Sequence, residues 1–228
     1  ITDIAIKRGL ARGEAVDLSR LARAAVIRDL RQRDSDGLRP RIKSMGNGMY
    51  LAADRKLEPE VLKAETELSD RVNRTREATR VALRRRLRAL PASAFELMMR
   101  LLLERIGMIN GDLLKRGEGV AYYAGTLTRG SRNIKTLVAI RPSEGEVPRE
   151  AIAELRAGMR LRGYDEGLVL TTGRLSAAAQ AELTPGIDVY DQDPLTDLLI
   201  RHQVGVRRQL IPMDYLDTDL LAELIEPA

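Results

Sequence analysis

Four arginines recur on one side of a predicted helix near the start of the chain. The stretch from Asp17 to Arg33 contains no glycine or proline, and Asp17 is predicted as its N-cap. At about 100° per residue, an apolar side gathers Leu18, Leu21, Ala22 and Ala25. The opposite side carries Arg20, Arg23, Arg28 and Arg31. A guanidinium group pairs with phosphate oxygens and with the edge of guanine, so this side predicts contact with nucleic acid.

A predicted β-hairpin follows the helix. Two short strand-like runs, 41–45 and 49–52, flank Gly46-Asn47-Gly48, whose residue types tolerate positive φ. A helix followed by a hairpin is the order of a winged helix-turn-helix, in which a helix enters the major groove and the hairpin touches the DNA backbone. The wing residues expected at phosphates are Arg39, Arg41, Lys43 and Asn47. The alternative is a small α+β cap that binds another protein.

Charge is distributed unevenly along the chain. Residues 1–56 hold 13 Lys and Arg against 7 Asp and Glu, whereas residues 91–228 hold 16 against 20. The last 17 residues, from Pro212, contain five acids and no base. A GC-rich genome would explain the excess of arginine over lysine, but it would not explain this asymmetry. We therefore expect a polyanion to bind the front of the chain.

The composition excludes several classes of site. The chain has no cysteine, which rules out disulfides, Cys-ligated zinc, iron–sulfur clusters and a cysteine nucleophile. The single histidine, His202, makes a His-rich metal site impossible, and we interpret it as structural. No apolar run approaches the roughly 18 residues of a membrane helix, so we expect no membrane partner and a cytoplasmic, nucleoid-associated protein.

Residues 58–90 predict one long helix, which begins near Pro59 and ends before Pro91. Its first half is acidic and its second half is dense in arginine, an order that also suits the helix dipole. We interpret it as a connector helix. A broken apolar seam leaves open a coiled-coil dimer, and the acidic tail could also fold back over the arginines.

An α/β domain is predicted after the connector. Ser93-Ala-Phe-Glu96 has the sequence of a helical capping box, and strand-like and helical runs then alternate to about His202. One of them, Leu168–Thr172, is continuously apolar, which indicates a strand covered on both faces of a sheet. The order predicts a three-layer α/β/α domain.

Several segments together resemble the catalytic domain of Mrr-type restriction endonucleases, a family with the PD-(D/E)xK nuclease fold. They are Phe95-Glu96, the glycine-rich turn near 117–119, Leu168–Gly173, Ile187–Tyr190 and Leu198–Val206. The segments Ala25–Leu30 and Gly46–Leu51 resemble the end of a HARE-type winged helix, whose first helix would lie upstream of Ile1.

The resemblance implies a metal-binding aspartate on one strand and a (Glu/Gln)-x-Lys triplet on the next. The aspartate position falls on Ala121 or Tyr122, and the triplet falls on Ala139-Ile140-Arg141. Alanine cannot ligate a metal, and a permanently charged arginine cannot act as a general base. We therefore predict no catalytic residues, no metal and no cofactor. Magnesium would be required only if a relocated site, drawn from Glu96, Glu118, Glu144 and Glu146, made the domain an active nuclease.

The sequence thus predicts a restriction-endonuclease-like fold preceded by a winged helix and a connector. Its parts are residues 1–56 for the winged helix, 57–90 for the connector, 91–211 for the Mrr-like domain and 212–228 for the acidic tail. The leading hypothesis is a protein that binds double-stranded DNA and uses a degenerate nuclease domain as a scaffold in bacterial defence. The alternatives are an active metal-dependent nuclease and an assembly scaffold that binds no DNA; a homodimer through the long helix or the nuclease-like domain fits each of them.

Overall fold

The structure is a computed structural model. It describes residues 15–35, 38–46, 49–52, 58–117, 119–210, 212, 214–217, 220, 221 and 224. The chain divides into two compact units, residues 1–73 with 209–228 and residues 74–208. None of the described helices combines the length and apolar character that a membrane span requires.

The first unit contains a helix and a hairpin. Helix α1 spans Ala15–Ser35, so it begins before Asp17, and the predicted N-cap is wrong. Strands β1 (Ile42–Gly46) and β2 (Met49–Ala52) pair antiparallel, which confirms the hairpin. The turn residues Asn47 and Gly48 lie outside the described residues. A helix and a hairpin in this order are compatible with a winged helix, and that assignment stays a prediction.

The buried side of α1 differs from the predicted one. Leu21 is 66% exposed, whereas Ala22, Val26 and Leu30 are half-buried and Arg33 is buried. These four positions follow one another at spacings of four, four and three residues, so they form a single helical stripe. Arg33 is buried at the end of this stripe, where its guanidinium donates to the carbonyl of Arg39 and to the Ser69 hydroxyl.

The long helix α2 spans Pro59–Arg88, as predicted. Its second half belongs to the second unit, where Leu83 and Leu87 are buried in the core. The two units divide inside α2, between residues 73 and 74, and the domain bounds predicted from the sequence stay a prediction. The packing of Leu83 and Leu87 belongs to the second unit. It also covers the apolar side of this part of α2 within the chain.

Ion pairs account for part of the arginine density of α2. Arg84 Nη1 lies 2.5 Å from Asp193 Oδ1, and Arg80 Nη2 donates to Asp197 Oδ2 at 3.0 Å. Both aspartates are on helix α6, Gln192–Arg201. These two arginines therefore join α2 to the sheet domain.

A five-stranded mixed sheet forms the centre of the second unit. Its strands are β3 (Met108–Gly117), β4 (Val120–Arg129), β5 (Arg132–Arg141), β7 (Glu166–Thr171) and β9 (Ile187–Tyr190), in the order β3-β4-β5-β7-β9. The first three strands are antiparallel, and β5, β7 and β9 are parallel. Strand β7 is buried along nearly its whole length, as its apolar sequence predicted.

Helices cover both faces of this sheet. On one face α3 (Ala92–Arg105), α6 and the end of α2 pack against inward residues such as Val138 and Ile140. On the other face, α4 (Arg149–Arg162) and α5 (Ala177–Ala181) cover Leu137 and Ala139. Because neighbouring residues of a strand point to opposite faces, two separate cores form. The predicted three-layer architecture is confirmed.

A small parallel sheet, which the sequence did not predict, follows the carboxyl ends of β5 and β7. It joins β6 (Glu146–Val147) to β8 (Arg174–Leu175). Thr172 Oγ1 accepts from the backbone N–H of Ser143 and donates to its carbonyl, both at 2.8 Å. A Cβ at Gly173 would lie 2.5 Å from the carbonyl oxygen of Gly145, so only glycine fits this approach.

Candidate functional site

An open pocket of about 400 Å³ lies at the end of the sheet beside α3. Helix α3 contributes Ser93, Glu96 and Arg100 to its wall, and the end of β3 contributes Arg116 and Gly117. The floor is apolar, formed by Ala121 and Ile140, which are 3% and 0% exposed. The pocket therefore combines charged walls with a floor that cannot bind a cation.

Glu96 is the centre of a hydrogen-bonded cluster in this pocket. Its Oε2 accepts from Arg116 Nε at 3.2 Å, its Oε1 accepts from Arg116 Nη2 at 2.6 Å, and the Tyr123 hydroxyl also donates to Oε1. Helix α3 begins at Ala92 with Pro91 as N-cap and no side-chain cap, so the predicted capping box at Ser93 is wrong. Glu96 is thereby free to face the pocket.

The same contacts set the charge state of the cluster. Hydrogen bonding from Arg116 holds the pKa of the Glu96 carboxyl below its ordinary value, although its burial opposes the effect. The Glu96 carboxylate raises the pKa of the Arg116 guanidinium in turn. Burial, followed by the bond to Glu96, raises the pKa of Tyr123. The cluster thus consists of an ionised pair and a neutral phenol.

The positions implied by the family motif lie on two adjacent strands. Ala121 pairs with Ile140, and Tyr122 pairs with Ala139. Ala121 belongs to the core under α3, whereas Tyr122 and Ala139 belong to the core under α4. Tyr122 donates to Glu154 of α4, and burial is the main cause of its raised pKa. None of these side chains is a carboxylate or an amine that could bind a metal or activate water.

A family model described as Mrr_cat, restriction endonuclease, matches residues 87–199. This segment therefore matches the Mrr-type restriction endonuclease family. This match covers the sheet and its helices, including the pocket and both strands of the motif. No curated protein matches the chain.

Two solved structures are similar to part of this chain. One is the DNA modification-dependent restriction endonuclease AspBHI, at 17% identity and a TM-score of 0.39, with 56% of this chain and 36% of that chain covered. The other is the MspJI restriction endonuclease in complex with a 27-mer oligonucleotide, at 24% identity and a TM-score of 0.41, with 56% and 31% covered. The chain therefore spans about a third of the length of either enzyme.

Among the described residues of the Mrr-type domain, Glu96, Glu144 and Glu146 are the acids of the predicted relocated metal site. Mg²⁺ requires carboxylate and other oxygen ligands, and the described residues contain no group of three acidic or histidine side chains able to hold a metal. Both oxygens of Glu96 already accept hydrogen bonds from Arg116. Glu144 and Glu146 are exposed near β6, and Glu118 lies outside the described residues.

The first unit holds all eight residues predicted to contact DNA. Arg20, Arg23, Arg28 and Arg31 are all exposed on α1, and Arg41 is exposed at the start of the hairpin. Lys43 is half-buried on β1, and Asn47 lies outside the described residues. A shallow pocket of about 600 Å³ runs beside Ile27, Arg28 and Arg31. The structure therefore leaves the four helical arginines accessible.

Arg39 differs from the other predicted contact residues. Its Nε lies 3.1 Å from Glu65 Oε1, its Nη2 donates to the carbonyl of Leu216 at 2.7 Å, and its guanidinium lies 5.2 Å from the Tyr215 ring centre. Its side chain is 13% exposed. These contacts bind the hairpin region, α2 and the C-terminal segment together within the first unit, so we omit Arg39 from the proposed DNA-contact set.

Two features of the structure were not predicted from the sequence: a buried arginine and a hydrogen-bonded cluster. Arg33 is buried, where it donates to the carbonyl of Arg39 at 2.8 Å, and its pKa is lowered chiefly by burial. The Glu96–Arg116–Tyr123 cluster joins residues up to 27 positions apart on three elements. Only the antiparallel register of β3 and β4 brings them together, and a helical or strand periodicity gives no signal for such a contact.

Proposed function

We propose that this chain is a double-stranded DNA-binding protein whose Mrr-type domain no longer hydrolyses DNA. In the proposal, the first unit makes the main contact and the Mrr-type domain acts as a scaffold. The observation that carries the proposal is the chemistry at the motif positions: Ala121, Tyr122, Ala139 and Arg141 stand where metal ligands and a water-activating lysine are required.

The proposed contact set contains six cations. They are Arg20, Arg23, Arg28, Arg31, Arg41 and Lys43. Salt dependence tests it, since each neutralised phosphate contributes about −0.9 to the slope of log affinity against log salt. We therefore expect a slope of about −5 for a fluorescent duplex titrated at several salt concentrations. A slope near zero would contradict DNA binding through this set.

The same titration distinguishes a binder from a nuclease. We expect the duplex to stay intact on a gel when Mg²⁺ or Mn²⁺ is added. Metal-dependent nicks that disappear in Glu118→Ala would instead establish the alternative of a relocated active site. Absence of any binding would favour the assembly scaffold.

A further inference from the structure

The described residues that line the pocket of the Mrr-type domain carry more positive than negative charge. Arg100 and Arg116 stand on its walls with Glu96 as the acidic neighbour. Glu96 interacts electrostatically with both arginines. The three charges sum to +1, and one phosphodiester carries −1.

Both guanidinium groups retain hydrogen-bonding capacity toward the pocket. A guanidinium has five N–H groups, and Glu96 engages only the Nε and Nη2 atoms of Arg116, whose side chain remains 62% exposed. Arg100 lies 5.8 Å from the centre of the Tyr123 ring, a contact that leaves its N–H groups available. Among the described residues no carboxylate forms an ion pair with Arg100 at salt-bridge distance.

The cluster holds these arginines in place before any ligand binds. Arg116 is oriented by two bonds to a single carboxylate, and Glu96 is itself fixed by Tyr123 and is only 14% exposed. Pre-orientation of a planar guanidinium lowers the entropy lost on binding a planar or tetrahedral oxyanion. Ser93 adds an exposed hydroxyl at the same wall.

We propose that this pocket binds one phosphate group through Arg100 and Arg116, and that it therefore holds a nucleic-acid backbone without cutting it. The two arginines replace the charge neutralisation that a metal provides in a nuclease, and the apolar floor supplies no group to activate water. The proposal rests on the proposed function only for the source of the phosphate, which is a DNA backbone phosphodiester.

The test compares two charge-matched double variants of the full chain. R100A/R116A removes the pocket cations, and R160A/R162A removes two exposed arginines at the end of α4, on the opposite face of the sheet. We expect the pocket variant to bind a duplex about tenfold more weakly and to lower the magnitude of the salt slope by about 1. The α4 variant should retain both values, and equal losses in the two variants would overturn the proposal.

Further measurements test whether the loss of binding comes from misfolding, which kind of phosphate the pocket binds, and whether the pocket binds phosphate without DNA. R100A alone leaves the Glu96 hydrogen bonds in place and should still weaken binding, whereas wild-type affinity in R100A would overturn the proposal. Duplexes with 5′-hydroxyl or 5′-phosphate ends should respond alike if the phosphate is internal, and dependence on the 5′-phosphate would assign the pocket to a chain end. If the wild-type protein binds no duplex, the proposed function fails. Titration with inorganic phosphate then tests the pocket by itself: shifts of the Arg100 and Arg116 Nε–H signals in NMR spectra would support phosphate binding, and unchanged signals would overturn it.

Discussion

At the scale of single residues, Glu96 illustrates how a side chain receives a role from its neighbours. Its sequence context predicts a helix cap, but Pro91 occupies the cap position and α3 starts one residue before Ser93. The carboxylate is therefore available to Arg116 and Tyr123. The lowered pKa of Glu96 means that the ionised carboxylate is more stable in the folded protein than in the unfolded chain.

Replacement of Glu96 by glutamine tests this arrangement. A depressed folded pKa contributes stability that is present above the ordinary value of 4.5 and is lost as pH falls through the folded pKa. E96Q should therefore lower the free energy of unfolding by about 1 kcal/mol at pH 7, a modest value because water screens the exposed Arg116. Thermal melts from pH 7 to pH 3 should show the difference from wild type shrinking. E104Q, at an exposed position of the same helix, should match wild type throughout.

At the scale of elements, one side of helix α1 carries the arginines proposed to bind DNA, and another side carries a buried arginine that stabilises the fold. Arg28 and Arg31 are exposed beside a shallow pocket, whereas Arg33 is 9% exposed and contacts the Arg39 carbonyl and Ser69. Arg31 and Arg33 are only two positions apart, and they therefore have different roles. The spacing of residues on a helix decides this, since positions two apart point to different sides.

Two variants of α1 should behave in opposite ways. R33A should lower the free energy of unfolding by about 2 kcal/mol, because it leaves buried partners without a donor, and should melt at a lower temperature. R28A/R31A should melt like wild type within about 0.5 kcal/mol but bind duplex DNA with a salt slope smaller by about 2. Unchanged DNA affinity in R28A/R31A would remove this side of α1 from the proposed interface.

At the scale of the whole molecule, the two units differ in charge and in fold. The basic cluster lies in the first unit, while the Mrr-type fold lies in the second. The C-terminal segment is part of the first unit, where Tyr215 and Leu216 contact Arg39. The masking of the α2 arginines by the acidic tail stays a prediction, and several tail acids lie outside the described residues.

Removal of divalent metal tests whether the protein depends on a bound metal ion for its stability or its DNA binding. Because the described residues contain no cluster of three metal-ligating side chains, EDTA should leave the melting temperature and the duplex affinity unchanged when ionic strength is held constant. Calorimetric titration with Mn²⁺ should show no saturable site. A rise in melting temperature on adding Mg²⁺ or Mn²⁺ would contradict this expectation and favour the relocated-site nuclease.

The sequence by itself determined most elements of the second unit. The helix Arg149–Arg162 and the apolar strand near Leu168–Thr171 have sequence patterns of their own, and a local pattern suffices to predict them. The residue types at Ala121 and Ala139 likewise decide, without any geometry, that these positions cannot bind a metal. The short β6 and β8 escaped prediction because two-residue strands have no period.

Only the tertiary structure decided which side chains meet. The burial of Arg33, the interior position of Arg39 and the division of the chain inside α2 all depend on partners distant in sequence. The pocket cluster requires the register that sets Arg116 opposite Ala121 and next to α3. Such contacts arise from long-range packing, and their free energy depends on distance in space, which the order of residues along a chain does not specify.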